Sequence, residues 1–545
     1  MPKNYFTIAI FINWVIIRKR TFCGTANRWR HTMKRSSGVL LHISSLPNDF
    51  GIGSFGQSAY DFVDFLVESE QSYWQILPLT TTSYGDSPYQ SFSAFAGNTH
   101  FIDFELLAEA GLLEKADYEN IPFSQNPESV DYARIFNLRR PVLEKAVQRF
   151  IERGDFSDYE TFHQENHDWL EPFVEYMTVK EDHELKPWYE WPEALRYRHH
   201  DALEVYHRDY QPQLNYHRVT QYFFAKQWQA LKNYANRKKI QIIGDLPIYV
   251  ARDSVEMWTQ PELFKVDETK TPTNIAGTPP DNFTEDGQFW GNPIYDWNYM
   301  AEQEYAWWKH RIVESFKLYD VLRFDHFRGF ESYWDVPYGA ETAAEGDWTK
   351  GPGLSFFQNI EASLGELSII AEDLGFMTDA VIEMREATGY PGMKILQFGF
   401  TGKGDSLDLP HHYKENTVAY VGTHDNETAL GWYKDSASPE QRKQLRKYLN
   451  LSLTDNIPAA MNRAIAASVS RLAIYTMQDL LGLDNRARMN EPSTLGHNWQ
   501  WRMTADAIDD ELTERLKDMT ETFFRQRTEA EIFDEAEVAE EYMPD

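Results

Sequence analysis

Hydrophobic residues in this chain gather into short runs, and many of the runs stop abruptly at a polar or charged side chain. Eight of them read as strands: GVLLHISS at 38–45, YWQILPLT at 73–80, IQIIGDLP at 240–247, VLRFDH at 321–326, SIIAEDLG at 368–375, MKILQFGF at 393–400, VAYVGTHDN at 418–426 and LAIYTMQDL at 472–480. Their near-continuous apolar character is that of parallel strands buried on both faces. Segments of helical period, such as SAYDFVDFLVES (58–69) and YAWWKHRIVESFKL (305–318), fall between them. The alternation predicts an α/β protein. Eight strands favour a closed (β/α)₈ barrel over an open doubly wound sheet, and no glycine-rich phosphate loop follows the first strand. The eighth run reads equally well as a helix.

The spacing is uneven. Between the second and third strands lie LEKAVQRFIERG (143–154) and RVTQYFFAKQWQALKNYANRKK (218–239), both of helical period. A mainly helical insertion over about 81–235 is therefore expected beside the barrel. Between the third and fourth strands, GTPPDNFTEDGQFWGNPIYDW (277–297) is rich in Gly, Pro, Asp and aromatics. That composition predicts an irregular lid or binding loop over about 271–298. Residues 1–33 differ from the rest: FTIAIFINWVII (6–17) precedes RKR, and the first 35 residues hold eight Lys or Arg and no acid. Twelve apolar-rich residues are too few to span a bilayer, and the positive charge follows the run where a signal peptide would carry it in front. The reading is an accessory or mis-started leader, with a membrane-surface anchor as the alternative and the catalytic barrel occupying 34–545. The acidic C-terminal stretch reads as a solvated helix end or tail.

Composition narrows the partners. A formal charge of −31 argues against nucleic acid and anionic membrane, and the single cysteine, Cys23, excludes an intrachain disulfide and fits a cytoplasmic location. Adjacent histidines in RHHD (198–201) read as a solvated helical face rather than a metal site. No metal-ligand cluster or phosphate loop is apparent, so no metal and no obligatory cofactor is expected.

In a barrel of this kind chemistry sits where the strands end. The charged strand ends are Asp245, Arg323 with Asp325, Glu372 with Asp373, and His424 with Asp425. One acid at one strand end is readily a helix cap, and Arg323 with Asp325 is readily a structural ion pair, since their spacing puts them on one strand face. Four converging carboxylates with one conspicuous arginine are costlier, because like charges in a cleft raise each other's pKa. Glycosidic bond cleavage needs such a set: an ionised carboxylate to attack the anomeric carbon and a carboxylic acid to protonate the leaving oxygen. Arg323 would keep Asp325 ionised as the nucleophile. Glu372, facing other acids, would hold its proton as general acid and then act as base. Asp425 would hold sugar hydroxyls and steady the oxocarbenium-like transition state.

Over roughly 37–501 the chain resembles the amylomaltases, or disproportionating enzymes: 4-α-glucanotransferases of glycoside hydrolase family 77, relatives of the α-amylases. The matching stretches are GVLLHISSLP, SPYQSFSAFAGN, GDLPIYVARDS, GTPPDNFTEDGQFWGNPIY, RFDHFRGF, IIAEDLG, YVGTHDNET and ARMNEPSTLGHNWQWR. The resemblance implies Asp325 as nucleophile, Glu372 as acid/base and Asp425 as transition-state stabiliser. It also implies sugar contacts from Arg323, His326, His424, Asp245 and Asp373, and from Ser87, Tyr89, Asp281, Gln288 and Trp290, with Tyr89 and Trp290 as stacking platforms. The substrates implied are maltooligosaccharides and linear α-1,4-glucans, with glucose as an acceptor, handled by a monomer or weak homodimer. Two rival readings remain: an α-glucan hydrolase using the same acids, and a non-catalytic glucan-binding barrel, which would have no need of all three catalytic carboxylates.

Overall fold

The computed structural model describes residues 34–83, 85–154, 156–280 and 286–527. The leader and the acidic C-terminal stretch, on which two expectations rested, lie outside the described residues. Twelve strands follow in chain order: β1 (Ser36–Leu40), β2 (Tyr73–Gln75), β3 (Gln241–Leu246), β4 (Asn274–Thr278), β5 (Gln288–Pro293), β6 (Val321–Phe324), β7 (Ser332–Pro337), β8 (Asp347–Lys350), β9 (Ile369–Ala371), β10 (Gly392–Ile395), β11 (Thr417–Tyr420) and β12 (Leu472–Thr476). Eight of them close a parallel barrel in the order β1-β12-β11-β10-β9-β6-β3-β2, each overlapping one of the eight apolar runs. The eighth run is both things it resembled: strand through Thr476, then a helical turn at Met477–Leu480.

Pleating decides what fills the barrel. Ile243, Val321, Ile370, Met393, Val418 and Leu472, from six different strands, pack with Leu40, Tyr73, Ile395, Tyr420 and Ile474 into one buried cluster. Residues two further along β3, β6 and β9 share that inward face. An apolar plug therefore lies directly beneath the strand ends. The opposite faces carry Ile242, Leu322, Ile369 and Ala419 into the larger cluster under the helices.

The stretch between β2 and β3 is helical, with long helices at Tyr132–Arg153, Ser157–Asp182 and Gln211–Arg237. It is fastened to the exit of β3 by Asp253, whose carboxylate accepts from Tyr176 Oη (2.6 Å), Lys180 Nζ (2.5 Å) and the Trp188 N–H (3.1 Å). Among the RHHD residues, His199, His200 and Asp201 are exposed, as a solvated face should be.

The segment expected to be an irregular lid contains two strands. β4 and β5 pair with each other, β4 pairs with β7, and β7 with β8, giving an antiparallel sheet in the order β5-β4-β7-β8. Gly277 makes the pairing possible: a Cβ there would lie 2.4 Å from the Gln288 carbonyl oxygen. The lid is thus a sheet suspended from the segment that follows β6. Among the described residues no helix is long and apolar enough to cross a membrane.

Gly244, on the outer face of β3, is the tightest point of the barrel wall near the site. A Cβ there would meet the Tyr319 ring at 2.1 Å, and Tyr319 Oη accepts the Leu79 N–H at 3.1 Å. Gly244→Ala should destabilise the chain by about 1–3 kcal/mol, read as a lower urea midpoint at unchanged m-value; an unshifted midpoint would contradict this packing.

Candidate active site

β3 and β6 are in register at Asp245↔Arg323, and β6 and β9 at Arg323↔Ile370. Asp245 and Arg323 therefore stand side by side on the inner face, one layer above Ile243 and Val321. Arg323 Nη1 donates to both oxygens of Asp245, at 2.8 and 2.7 Å, and only a 3.3 Å bond reaches Asp325 Oδ1. Its Nη2 lies 4.0 Å from Glu372 Oε2. The sequence reading gave Arg323 to Asp325 because they are two residues apart. Register gives it to Asp245, which stands directly opposite on the neighbouring strand.

Glu372 follows β9, and its carboxylate accepts the backbone N–H of His326. His326 adopts φ 45°, ψ 50°, a left-handed conformation that costs a non-glycine residue about 1–2 kcal/mol. That turn aims its N–H across to the neighbouring strand end. The backbone on either side is cross-bonded: Glu372 N–H to the Phe324 carbonyl (3.1 Å) and Phe327 N–H to the Glu372 carbonyl (3.1 Å). The acid is thus held by two rigid strand ends.

Asp425, beyond β11, is fixed from a different direction. Asn490 Nδ2 donates to its Oδ1 at 2.6 Å, Arg488 Nη2 donates to its carbonyl at 3.0 Å, and the Asn490 N–H donates to the His424 carbonyl at 3.0 Å. The sequence analysis gave ARMNEPSTLGHNWQWR only as a stretch of resemblance and named neither Asn490 nor Arg488. Nothing local marks them, since they act across more than sixty residues.

Tyr89 closes the opposite side. Its hydroxyl is 2.9 Å from Asp245 Oδ2 and 2.8 Å from His424 Nε2, and its ring stacks on His424 at 5.4 Å between centroids, with Trp499 beside both. Ser87 sits behind it, its Oγ accepting the Tyr89 N–H at 3.2 Å. Trp290 reaches the cluster from β5, its ring edge-on to His326 at 4.8 Å, and its Nε1 donates to Gln288 Oε1 at 3.2 Å. Asp281 lies outside the described residues.

Asp373 is the one strand-end acid turned away. It follows Glu372 by a single residue, so the pleat sends it to the other side. There Arg385 Nε sits 2.9 Å from one oxygen and the Met393 N–H donates to the other at 2.7 Å. Its place is structural, between β10 and the helix Asp379–Thr388.

Electrostatics separates the two central acids. Burial pushes Glu372 up to about 8; Arg323 opposes the rise and Asp325 adds to it. Burial also raises Asp325, to about 6, despite Arg323, while Asp245 and Asp425 push it further. Near pH 7 Glu372 is mostly protonated and Asp325 mostly ionised. Burial lowers His326 to about 3 and lowers His424, so both imidazoles are neutral donors or acceptors. Arg323 is buried, yet the surrounding carboxylates hold it more firmly charged than usual. One rim thus holds an acid that favours its ionised form and an acid that favours its protonated form, with a third carboxylate beside them.

The family model described as 4-α-glucanotransferase matches residues 41–508. The 4-α-glucanotransferase of Streptococcus pneumoniae is 58% identical over 493 residues, covering 90% of this chain and 98% of that protein. That of Clostridium butyricum is 46% identical, covering 89% of this chain and all of that protein. Among solved structures, the amylomaltase from Streptococcus agalactiae in complex with acarbose superposes with a TM-score of 0.89 at 50% identity, covering 91% of this chain and all of that one.

The raised value of Glu372 has a consequence for stability. An unfolded chain releases this proton near 4.5, the folded one near 8, so between these values the folded state binds the extra proton and loses stability as pH rises. Glu372→Gln keeps the acceptor for the His326 N–H and removes the charge. Its thermal midpoint should gain on the wild type in going from pH 4.5 to pH 8.5, by the equivalent of a few kcal/mol at most. A gap that stays constant over that range would refute the assignment.

Proposed function

The chain belongs to the 4-α-glucanotransferase family, glycoside hydrolase family 77, and from that starting point we propose that it moves α-1,4-glucan segments by double displacement through a covalent glycosyl-Asp325 intermediate. The observation that carries this reading is the split between Asp325 and Glu372, two acids beside one guanidinium whose proton affinities differ in the sense the chemistry requires. Asp325 attacks the anomeric carbon while Glu372 gives its proton to the leaving glycosidic oxygen, which departs as the 4-OH of the released fragment. Once Asp325 is an ester it carries no negative charge, so the affinity of Glu372 for a proton falls and it becomes a base. It then takes the proton from an acceptor 4-OH, whose oxygen displaces Asp325 and restores the α-linkage. Asp425, oriented by Asn490, steadies positive charge at the anomeric carbon in both steps.

Transfer rather than hydrolysis requires that the intermediate meet a sugar hydroxyl before it meets water. An oriented acceptor gains an effective molarity of about 10⁵–10⁸ M over free collision. Trp290 and Gln288, on the lid sheet against His326, supply the stacking surface and the shield, with Asp281 as hydroxyl anchor. Tyr89, Ser87 and His424 line the opposite wall. Maltooligosaccharides are the donors, and maltooligosaccharides or glucose the acceptors. The complex of the Streptococcus agalactiae amylomaltase with acarbose is in keeping with such ligands. The single cysteine fits a cytoplasmic location.

Incubation with pure maltotriose tests the reading. The expected products are glucose and a ladder of maltotetraose, maltopentaose and longer chains, with total reducing ends nearly constant. Reducing ends that rise with glucose and no longer chains would make it a hydrolase. Trp290→Ala should move the balance toward water. Asp325→Asn should fold and be inactive; retention of more than about a tenth of the rate, a loss under about 1.4 kcal/mol of barrier, would reject Asp325 as nucleophile. kcat/KM should be bell-shaped, falling below about pH 6 as Asp325 gains a proton and above about pH 8 as Glu372 loses one.

A further inference from the structure

On the connection between β10 and β11, two imidazoles converge on one carboxylate. His411 Nε2 lies 3.1 Å from Asp405 Oδ1 and His412 Nε2 lies 2.6 Å from Asp405 Oδ2. The three side chains each offer a ligand atom within 4.8 Å of the other two, and all three are exposed. From this arrangement we infer a peripheral binding site for a divalent transition-metal ion of the zinc class, with Asp405, His411 and His412 as protein ligands and solvent completing the coordination.

The donor set selects the ion. Two imidazoles and one carboxylate suit Zn²⁺ and its neighbours, whereas Mg²⁺ and Ca²⁺ require all-oxygen shells. Tetrahedral coordination with bonds near 2.0–2.1 Å spaces ligand atoms about 3.3 Å apart. The two nitrogen–oxygen separations present here need open only by tenths of an ångström to admit the ion. The second requirement, an oriented imidazole, is also met: His411 Nδ1 is 2.9 Å from Tyr448 Oη, the outer partner that sets tautomer and ring direction at metal-bound histidines. The two rings lie 4.2 Å apart between centroids.

The loop that carries the ligands is braced. The Gly402 N–H donates to Gln444 Oε1 (2.7 Å), Gln444 Nε2 donates to the Gly404 carbonyl (2.8 Å), and Gln441 Nε2 donates to the Phe400 carbonyl (2.8 Å). On the other side, Leu409 N–H bonds to the Ser406 carbonyl (3.0 Å) and His412 N–H to the Leu409 carbonyl (2.9 Å). Braced ligands lower the ordering cost of binding. None of the three ligands touches the strand-end acids, so the ion would tie down this connection without entering the reaction.

Tag-free protein, stripped with a chelator and desalted, is titrated with Zn²⁺ and in parallel with Co²⁺. One equivalent should bind, Co²⁺ should show the visible absorption of a four-coordinate site, and an excess of Mg²⁺ or Ca²⁺ should displace neither. The Asp405→Ala and His411→Ala/His412→Ala variants, on exposed positions, should keep their maltotriose turnover and lose the bound equivalent, and Tyr448→Phe should bind about tenfold more weakly. Absence of stoichiometric uptake, undiminished uptake by the double histidine variant, or displacement by Ca²⁺ would each overturn the site.

Discussion

Everything at the mouth of this barrel is arranged around one buried guanidinium. Arg323 lies above an apolar plug, grips Asp245 through both oxygens and leaves weaker contacts to Asp325 and Glu372. Had it been given wholly to Asp325, that carboxylate would be held strongly as an anion. By satisfying Asp245, the guanidinium spends most of its charge away from Asp325. Asp325 is left ionised but only loosely compensated, and Glu372 neutral. The position of a backbone register, Asp245↔Arg323, thus sets the reactivity of a side chain two residues away.

Much of this could be read along the chain. Eight apolar runs, several of them ending in charge, were enough for the barrel and its charged rim, because strands buried on both faces write their boundaries plainly in composition. Asp373 shows what was legible but not read: Glu372 shares the pleat of inward Ile370, so its successor had to point outward, to Arg385. Other features were not legible. Which acid Arg323 would grip depends on how β3 registers against β6, and spacing within one strand says nothing about that. Asn490 reaches Asp425 from a loop beyond β12, with no local signal. The lid sheet escaped notice because its β4–β5 segment is rich in Gly, Pro and Asp, and SYWDVP in β7 does not alternate cleanly, with Tyr333 and Trp334 adjacent.

The lid sheet changes the picture of the cleft. Trp290 does not hang from a free loop; it belongs to a strand whose partner β4 is bonded to β7, and β7 follows the turn that carries His326. The ring contact between Trp290 and His326 then joins the two ends of one covalent and hydrogen-bonded circuit. Inside that circuit Gly277 is required by the closeness of the Gln288 carbonyl. Glu372, the backbone N–H that its carboxylate accepts and the Trp290 ring are mechanically one piece.

The order in which the barrel closes has a consequence for the life of the chain. β1 pairs with β12 across nearly the whole described sequence, and Asp425 takes its orientation from Asn490, which is later still. Tyr89 ties the early part of the chain to Asp245 and to His424. A chain emerging from the ribosome therefore carries Asp325 and Glu372 before it carries the strand that closes the barrel or the loop that fixes Asp425. Loop-closure entropy makes these distant pairings the last to form. The late segments therefore complete both the barrel wall, through β12, and the setting of Asp425, through Asn490.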